Sequence, residues 1–177
     1  LTDFKKRAVC MRKAADILSE RKSKYAKLMT LEMGKPIRQA LAEIEKCAGV
    51  CKFYAENTHK FLNSEEIKTE ARKSYVSFRP LGIVLAVMPW NFPFWQVFRF
   101  LAPALMAGNA GVLKHASNVT RCALAIEEIV KESGFPESLF RTLLIESKDV
   151  AAVIEHPLVK AVTLTGSAPA GKAVASK

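Results

Sequence analysis

The four cysteines include no CxxC pair and no Cys/His set with metal-ligand spacing, which excludes a disulfide framework and a zinc site. Cys47 and Cys51 stand four apart on a predicted helix, on one face with Ile44 and Ala48, and supply two ligands at most. Cys122 falls on the apolar face formed by Val119, Ala123, Ile126 and Val130. Cysteines so placed behave as small buried hydrophobes, and a reducing, cytoplasmic setting is expected. No apolar run is long enough to span a bilayer, and no stretch reads as a signal peptide, so no membrane association is expected. Zinc-finger spacing and aromatic RNA-binding runs are missing as well, and no nucleic-acid partner is expected. Glycine and proline, eight each, are not in excess, which argues against a low-complexity chain.

What is present is a core-forming composition, 50% hydrophobic, on a chain of 177 residues with a formal charge of +10. Nine basic residues lie within the first 27 positions, among apolar residues at helical spacing, so the charge reads as a solvated helix face. The chain begins at Leu1, not methionine, and Lys177 follows the opening of a helix; it reads as a piece of a longer protein.

Residues 3–33 keep one helical periodicity up to Gly34, and Pro36 suits the first turn of a second helix over 37–62. Beyond residue 72 the pattern changes. KSYVSFRP alternates like a strand, and GIVLAVMP, AGVLKH, FRTLLI and KAVTLTG are short apolar runs, each followed by a helical stretch. The clearest crossover helix covers about 118–133 and ends at Gly134. The expected fold is α/β: a helical segment over 1–72, then a Rossmann-like, mostly parallel sheet with flanking helices over 73–177. Ligands of such sheets bind at the carboxyl ends of strands, here PWNFP, KHAS and TGSAPAG.

At the first end, two prolines bracket Asn91, either to aim its amide at a ligand or to make an asparagine turn packed by aromatics. At the second, Lys114 closes an apolar strand, a place for a ligand-binding ammonium or for a lysine snorkelling to water. At the third, Gly166, Gly171 and Lys172 fit all but the last position of G-x-x-x-x-G-K-[ST]. Ala173 follows, and it has no hydroxyl for a magnesium ion.

The run PLGIVLAVMPWNFPFWQVFRFLAPALMAGNAGVLKHAS, extended back through LEMGKPI and forward through VTLTGSAPAGK, closely resembles the NAD(P)-dependent aldehyde dehydrogenases. Within that family the sequence is most similar to the succinate-semialdehyde dehydrogenases. The resemblance implies that an enzyme cysteine attacks the aldehyde, that the resulting thiohemiacetal passes a hydride to the nicotinamide, and that Asn91 donates to the oxyanion. It places Pro89, Trp90, Lys114, Ser117, Gly166, Ser167 and Gly171 at the cofactor: Lys114 on the adenosine ribose, and the Gly166–Ser167 turn and following helix N-terminus on the pyrophosphate. Gly171 is expected to let the helix approach closely, and Lys172 to face solvent.

Many NAD-using relatives carry glutamate where this chain has Ser117, so NADP is the expected cofactor, with NAD as the alternative. Ser117 also suits the cap of the helix beginning near Asn118, and both roles are compatible. His115 replaces the proline common at its position and receives no role. Arg99 matches the family's arginine for a substrate carboxylate, with Trp95 one turn earlier as an apolar wall; an internal salt bridge is its bland alternative. The implied substrate is a carboxylate-bearing aldehyde, succinate semialdehyde above others. The implied assembly is a homo-oligomer, dimer or tetramer, of the whole protein.

None of Cys10, Cys47, Cys51 or Cys122 lies in the family's nucleophile context, and the general-base glutamate is missing too. Residues 1–177 alone are therefore expected not to oxidise aldehydes, and turnover of succinate semialdehyde by them would contradict this. Three alternatives stay open at this stage: another aldehyde dehydrogenase specificity, a non-catalytic nucleotide-binding or assembly module of the same fold, and a P-loop phosphatase.

Overall fold

A computed structural model describes residues 3–177; Leu1 and Thr2, the first positions of the helical segment, lie outside the described residues. The helices of that segment are α1 (Phe4–Glu20), α2 (Lys22–Met33) and α3 (Ile37–Leu62). The single helix expected before Gly34 is thus broken at Arg21, although no glycine or proline stands there. Arg21 leaves helical geometry at φ −101° and ψ 20°, and its guanidinium lies 2.7 Å from the Glu132 carboxylate. The bend lets α1 and α2 both pack on α3, a tertiary demand that periodicity does not reveal. Gly34 ends α2 in the left-handed region at φ 73°, where an L side chain is strained. Pro36 takes the N-cap of α3, one position ahead of the first turn.

The expected strand over KSYVSFRP is reduced to β2 (Tyr75–Val76), which pairs antiparallel with β1 (Glu65–Glu66) in a ribbon apart from the main sheet. Both strands are exposed, so the alternation reflects no buried face.

The main sheet is parallel and contains β3 (Ile83–Met88), β4 (Ala110–His115), β5 (Phe140–Thr142) and β6 (Val159–Leu164), in the order β5-β4-β3-β6. β5 stops at Thr142, short of the full FRTLLI run, with one further ladder bond from the Leu143 amide to the Leu113 carbonyl, 2.8 Å. Gly111 is required where β4 meets β5, because a Cβ there would lie 2.9 Å from the Phe140 ring. The chain builds outward from β3 through β4 to β5 and returns to place β6 on the other side of β3. A sheet whose winding reverses this way opens a crevice at the carboxyl ends of the two strands flanking the reversal.

The crossovers contain α4 (Trp95–Met106), α5 (Thr120–Glu132) and α6 (Val150–Ile154), and α7 (Ala168–Ala175) follows β6. Ala86 and Met88 of β3 and Leu113 of β4 join α4 and α5 in one hydrophobic cluster that continues through α1, α2 and α3. Val87, of opposite parity in β3, faces α6 and α7. Helices therefore cover both faces, and no helix among the described residues is long and apolar enough to cross a membrane.

The crossover helix expected over 118–133 starts later, after a 3-10 turn at Ser117–Val119. The Ser117 hydroxyl caps nothing; its carbonyl accepts from Thr120 Oγ1 at 2.9 Å. The first amides of α5 are instead satisfied by Glu32 of α2, whose two carboxylate oxygens accept from Arg121 N and Cys122 N, each 2.8 Å away. A negative carboxylate reaching across the fold suits the positive end of a helix better than a local hydroxyl.

Candidate active and cofactor site

Strand register fixes the site. Val87 pairs with Lys114 on one side and with Leu164 on the other, so the last residues of β3, β4 and β6 end at one level of the sheet. The Thr165 amide extends the ladder by donating to the Val87 carbonyl at 3.1 Å. Asn91, Lys114 and Gly166 therefore emerge from a single edge, as expected from the sequence.

Lys114 is largely buried, at 9% exposure. Its ammonium projects into a slot of about 280 Å³ between α6, α7 and the sheet, where it donates to Ser147 Oγ at 3.4 Å. Val87, Ile154, Leu164 and Ala170 supply apolar walls. Ser147 and the α6 residues were not singled out from the sequence. Their signal was the Glu146–Asp149 capping box, in which each side chain bonds the other end of a tight turn and so fixes Ser147. Ser117 does not line this slot. It borders a neighbouring cavity of about 230 Å³ on the α5 side, together with His115 and Thr142.

At the third strand end Ser167 is the N-cap of α7, its oxygen accepting from the Ala170 amide at 3.4 Å, which leaves the hydroxyl proton free to donate outward. A Cβ added at Gly166 would meet Leu164 and Ala170 at 3.5 and 3.6 Å, ordinary van der Waals distances, so packing within this chain does not require glycine there. A Cβ at Gly171 would meet nothing within 4 Å, so no neighbour within this chain requires glycine there. Lys172 faces solvent.

Around Asn91 the geometry is specific. Trp90, Asn91 and Phe92 are exposed while Pro93 and Phe94 are buried, so the turn dips into the protein just after the amide. Among the described residues the Asn91 side chain has no hydrogen-bond partner, whereas its carbonyl accepts from Lys35 Nζ at 3.0 Å. His115, given no role from sequence, is buried and links two strand ends. Its Nδ1 accepts from the Ala116 amide at 2.9 Å, which leaves the proton on Nε2 to donate to the Pro93 carbonyl, also at 2.9 Å. Burial holds its pKa below the ordinary 6.5, in keeping with a neutral imidazole.

Arg99 has no carboxylate partner among the described residues, so the internal salt bridge weighed as its alternative does not form. Its guanidinium is exposed and donates to Thr165 Oγ1 at 3.0 Å, joining α4 to the residue before Gly166. Trp95 is half-buried on the side of α3, where Lys46 Nζ stands 3.9 Å from its ring centroid. Cys47, Cys51 and Cys122 are fully buried and Cys10 is partly so; desolvation pushes all four thiols upward, away from the reactive thiolate.

The model of the aldehyde dehydrogenase family matches residues 1–177, the whole chain. The chain belongs to the aldehyde dehydrogenase family. It is 58% identical over 173 residues to a probable succinate-semialdehyde dehydrogenase [NADP(+)] of Synechocystis, a match covering 98% of this chain and 38% of that protein. It is 49% identical to the succinate-semialdehyde dehydrogenase [NADP(+)] of Mycobacterium avium, over 99% of this chain and 38% of that protein. Among solved structures it superposes with a TM-score of 0.95 and 37% identity on succinic semialdehyde dehydrogenase from Streptococcus pyogenes in complex with NADP+, covering 98% of this chain and 38% of that one. The chain thus spans well under half the length of the aldehyde dehydrogenases it matches. The four-stranded parallel sheet with helices on both faces corresponds to the N-terminal part of that larger fold.

Proposed function

We propose that these residues form the cofactor-binding part of an NADP-dependent aldehyde dehydrogenase that oxidises succinate semialdehyde to succinate. The observation that supports this most is the common level of β3, β4 and β6 at the sheet edge, which gathers Asn91, Lys114 and the Gly166–Ser167 turn. The residues fit a dinucleotide phosphate: a buried ammonium beside an apolar slot, and a helix N-terminus with a free hydroxyl donor.

When bound, the nicotinamide cofactor accepts the hydride that leaves the substrate carbon. The chain's own residues bind and orient. Lys114 neutralises an oxygen-rich part of the ligand, and the amides of Gly166, Ser167 and Ala168, ahead of Pro169 and of the Ala170 amide that Ser167 caps, receive phosphate oxygens. Ser117, exposed and free of any capping duty, leaves room for a 2′-phosphate and opposes it with no charge. The Asn91 amide donates to the oxygen of the aldehyde as negative charge develops there; such a donor is neutral and does not titrate. The thiol that attacks the carbonyl is not among Cys10, Cys47, Cys51 and Cys122, so the nucleophile is assigned to residues outside these 177.

Arg99 grips the distal carboxylate of the substrate. Its guanidinium is exposed, lacks an acidic partner among the described residues and is steadied by Thr165 at the same sheet edge. The test uses the complete open reading frame that contains these residues. Arg99→Ala is expected to raise KM for succinate semialdehyde by about 10- to 100-fold, the range for losing hydrogen bonds to a charged group. KM for a neutral aldehyde of similar length should change little, and equal rises for both would remove Arg99 from the substrate site.

A further inference from the structure

The turn that carries Asn91 is held from behind by three buried side chains, Lys35, Glu43 and His115. Lys35 Nζ donates to the Asn91 carbonyl at 3.0 Å. Glu43 Oε1 accepts from Phe94 N and Trp95 N, both at 2.9 Å. His115 Nε2 donates to the Pro93 carbonyl at 2.9 Å. Lys35 and Glu43 also form an ion pair with side chains only 3% and 1% exposed, and the Lys35 ammonium lies 3.6 Å from the Phe92 ring centroid. Four of the five residues from Asn91 to Trp95 are thereby bonded through their backbone, and the fifth, Phe92, lies beneath the same ammonium.

Stability alone is a poor account of this arrangement. Desolvating two charges costs several kcal/mol per ion, and apolar residues of equal volume often serve a core as well or better. What the pair provides is direction. Lys35 is itself fixed on both sides: Gly34 turns the chain at φ 73°, Pro36 restricts the residue before it, and the Lys35 carbonyl accepts from Thr30 Oγ1 at 2.8 Å. Glu43 projects from the long helix α3, and its carboxylate spans the ammonium and the first amides of α4. His115 adds a tether from β4 with a defined tautomer. An amide that must meet a developing oxyanion needs placement to a fraction of an ångström, and a turn between a strand and a helix does not supply this by itself.

We propose that Lys35, Glu43 and His115 are positioning residues for Asn91: they lock the backbone of its turn so that the side-chain amide faces the reacting carbonyl. This inference rests on the reading of Asn91 as the oxyanion donor. The experiment uses the complete reading frame, with steady-state kinetics for Asn91→Ala, Lys35→Met, Lys35→Arg and the double variant Lys35→Met/Asn91→Ala. Asn91→Ala is expected to lower kcat by about 10²- to 10³-fold. Lys35→Met should lower kcat by about 10- to 100-fold, the scale of a small misplacement, with KM for NADP unchanged because Lys114 and Ser117 are untouched.

Lys35→Arg, which keeps a donor and a positive charge, should restore most of kcat. In the double variant the Lys35 change should cost nothing beyond Asn91→Ala. Multiplying losses, or a Lys35→Met enzyme as fast as the parent, would overturn the proposal. A harmless Asn91→Ala would instead strike down the oxyanion reading. If Lys35→Met does not fold, His115→Ala carries the same test without leaving a buried charge: a kcat loss that disappears in the Asn91→Ala background supports positioning, and one that persists refutes it.

Discussion

At the scale of single residues, the site depends on side chains that are placed without being consumed by the fold. Ser117 shows this best: it sits where it could cap a helix, yet Glu32 performs that task and the hydroxyl stays available. Replacing it by glutamate would set a carboxylate against a 2′-phosphate, and like charges in such contact cost several kcal/mol. In the complete protein, Ser117→Glu is expected to lower kcat/KM with NADP by at least about 10-fold while sparing kcat/KM with NAD. A proportional loss with both cofactors would place Ser117 away from the ribose.

His115 makes a different prediction, one about pH. Its pKa in the fold lies below 6.5, because burial disfavours the imidazolium. Between the folded and unfolded values the unfolded chain binds the extra proton, so this contribution to stability is complete above about pH 6.5 and is lost as pH falls through the folded value. Urea midpoints of the parent should therefore drop more between about pH 7 and about pH 5 than those of His115→Gln. Identical slopes would mean that His115 does not titrate on unfolding.

At the scale of elements, acidic side chains from the helical segment organise the helices that cover the sheet. Glu32 caps α5, and Glu43 receives the first amides of α4. Losing a cap typically costs about 1–2 kcal/mol, so Glu32→Ala should lower chemical-denaturation stability by about that amount. An unchanged midpoint would show that water satisfies those amides equally well.

These bonds also mark where the sequence stops being legible. The apolar runs predicted the parallel sheet and the three strand ends correctly, because buried strands and crossover helices follow from local pattern. The break at Arg21 and the capping of α5 by Glu32 arise between segments about 90 to 110 positions apart, and no local pattern encodes them. Among the site residues, Asn91, Lys114 and the Gly166–Ser167 turn stood out through their places at strand ends. Ser147, Lys35 and Glu43 did not: one sits in an inconspicuous turn, and the others acquire their role only when α3 docks beneath the Asn91 turn.

At the scale of the whole molecule, one hydrophobic cluster runs from α1 through α5 to the sheet, so the helical segment and the parallel sheet share a core. That sharing gives the sheet edge a backing: Glu43 of α3 holds the end of the turn after β3, and α5 follows the end of β4. The aldehyde dehydrogenases it matches are more than twice as long, and burial shifts all four thiols of these residues upward, away from the reactive thiolate. The central claim is that β3, β4 and β6 end in one cofactor site. A crystal structure of the complete protein with NADP+ tests it most directly. The ribose phosphate is expected within hydrogen-bonding reach of Lys114 and Ser117, and the pyrophosphate against the amides at Gly166–Ser167. A dinucleotide lodged elsewhere, such as the groove between α2 and α5 bordered by Leu31 and Leu124, would contradict the account.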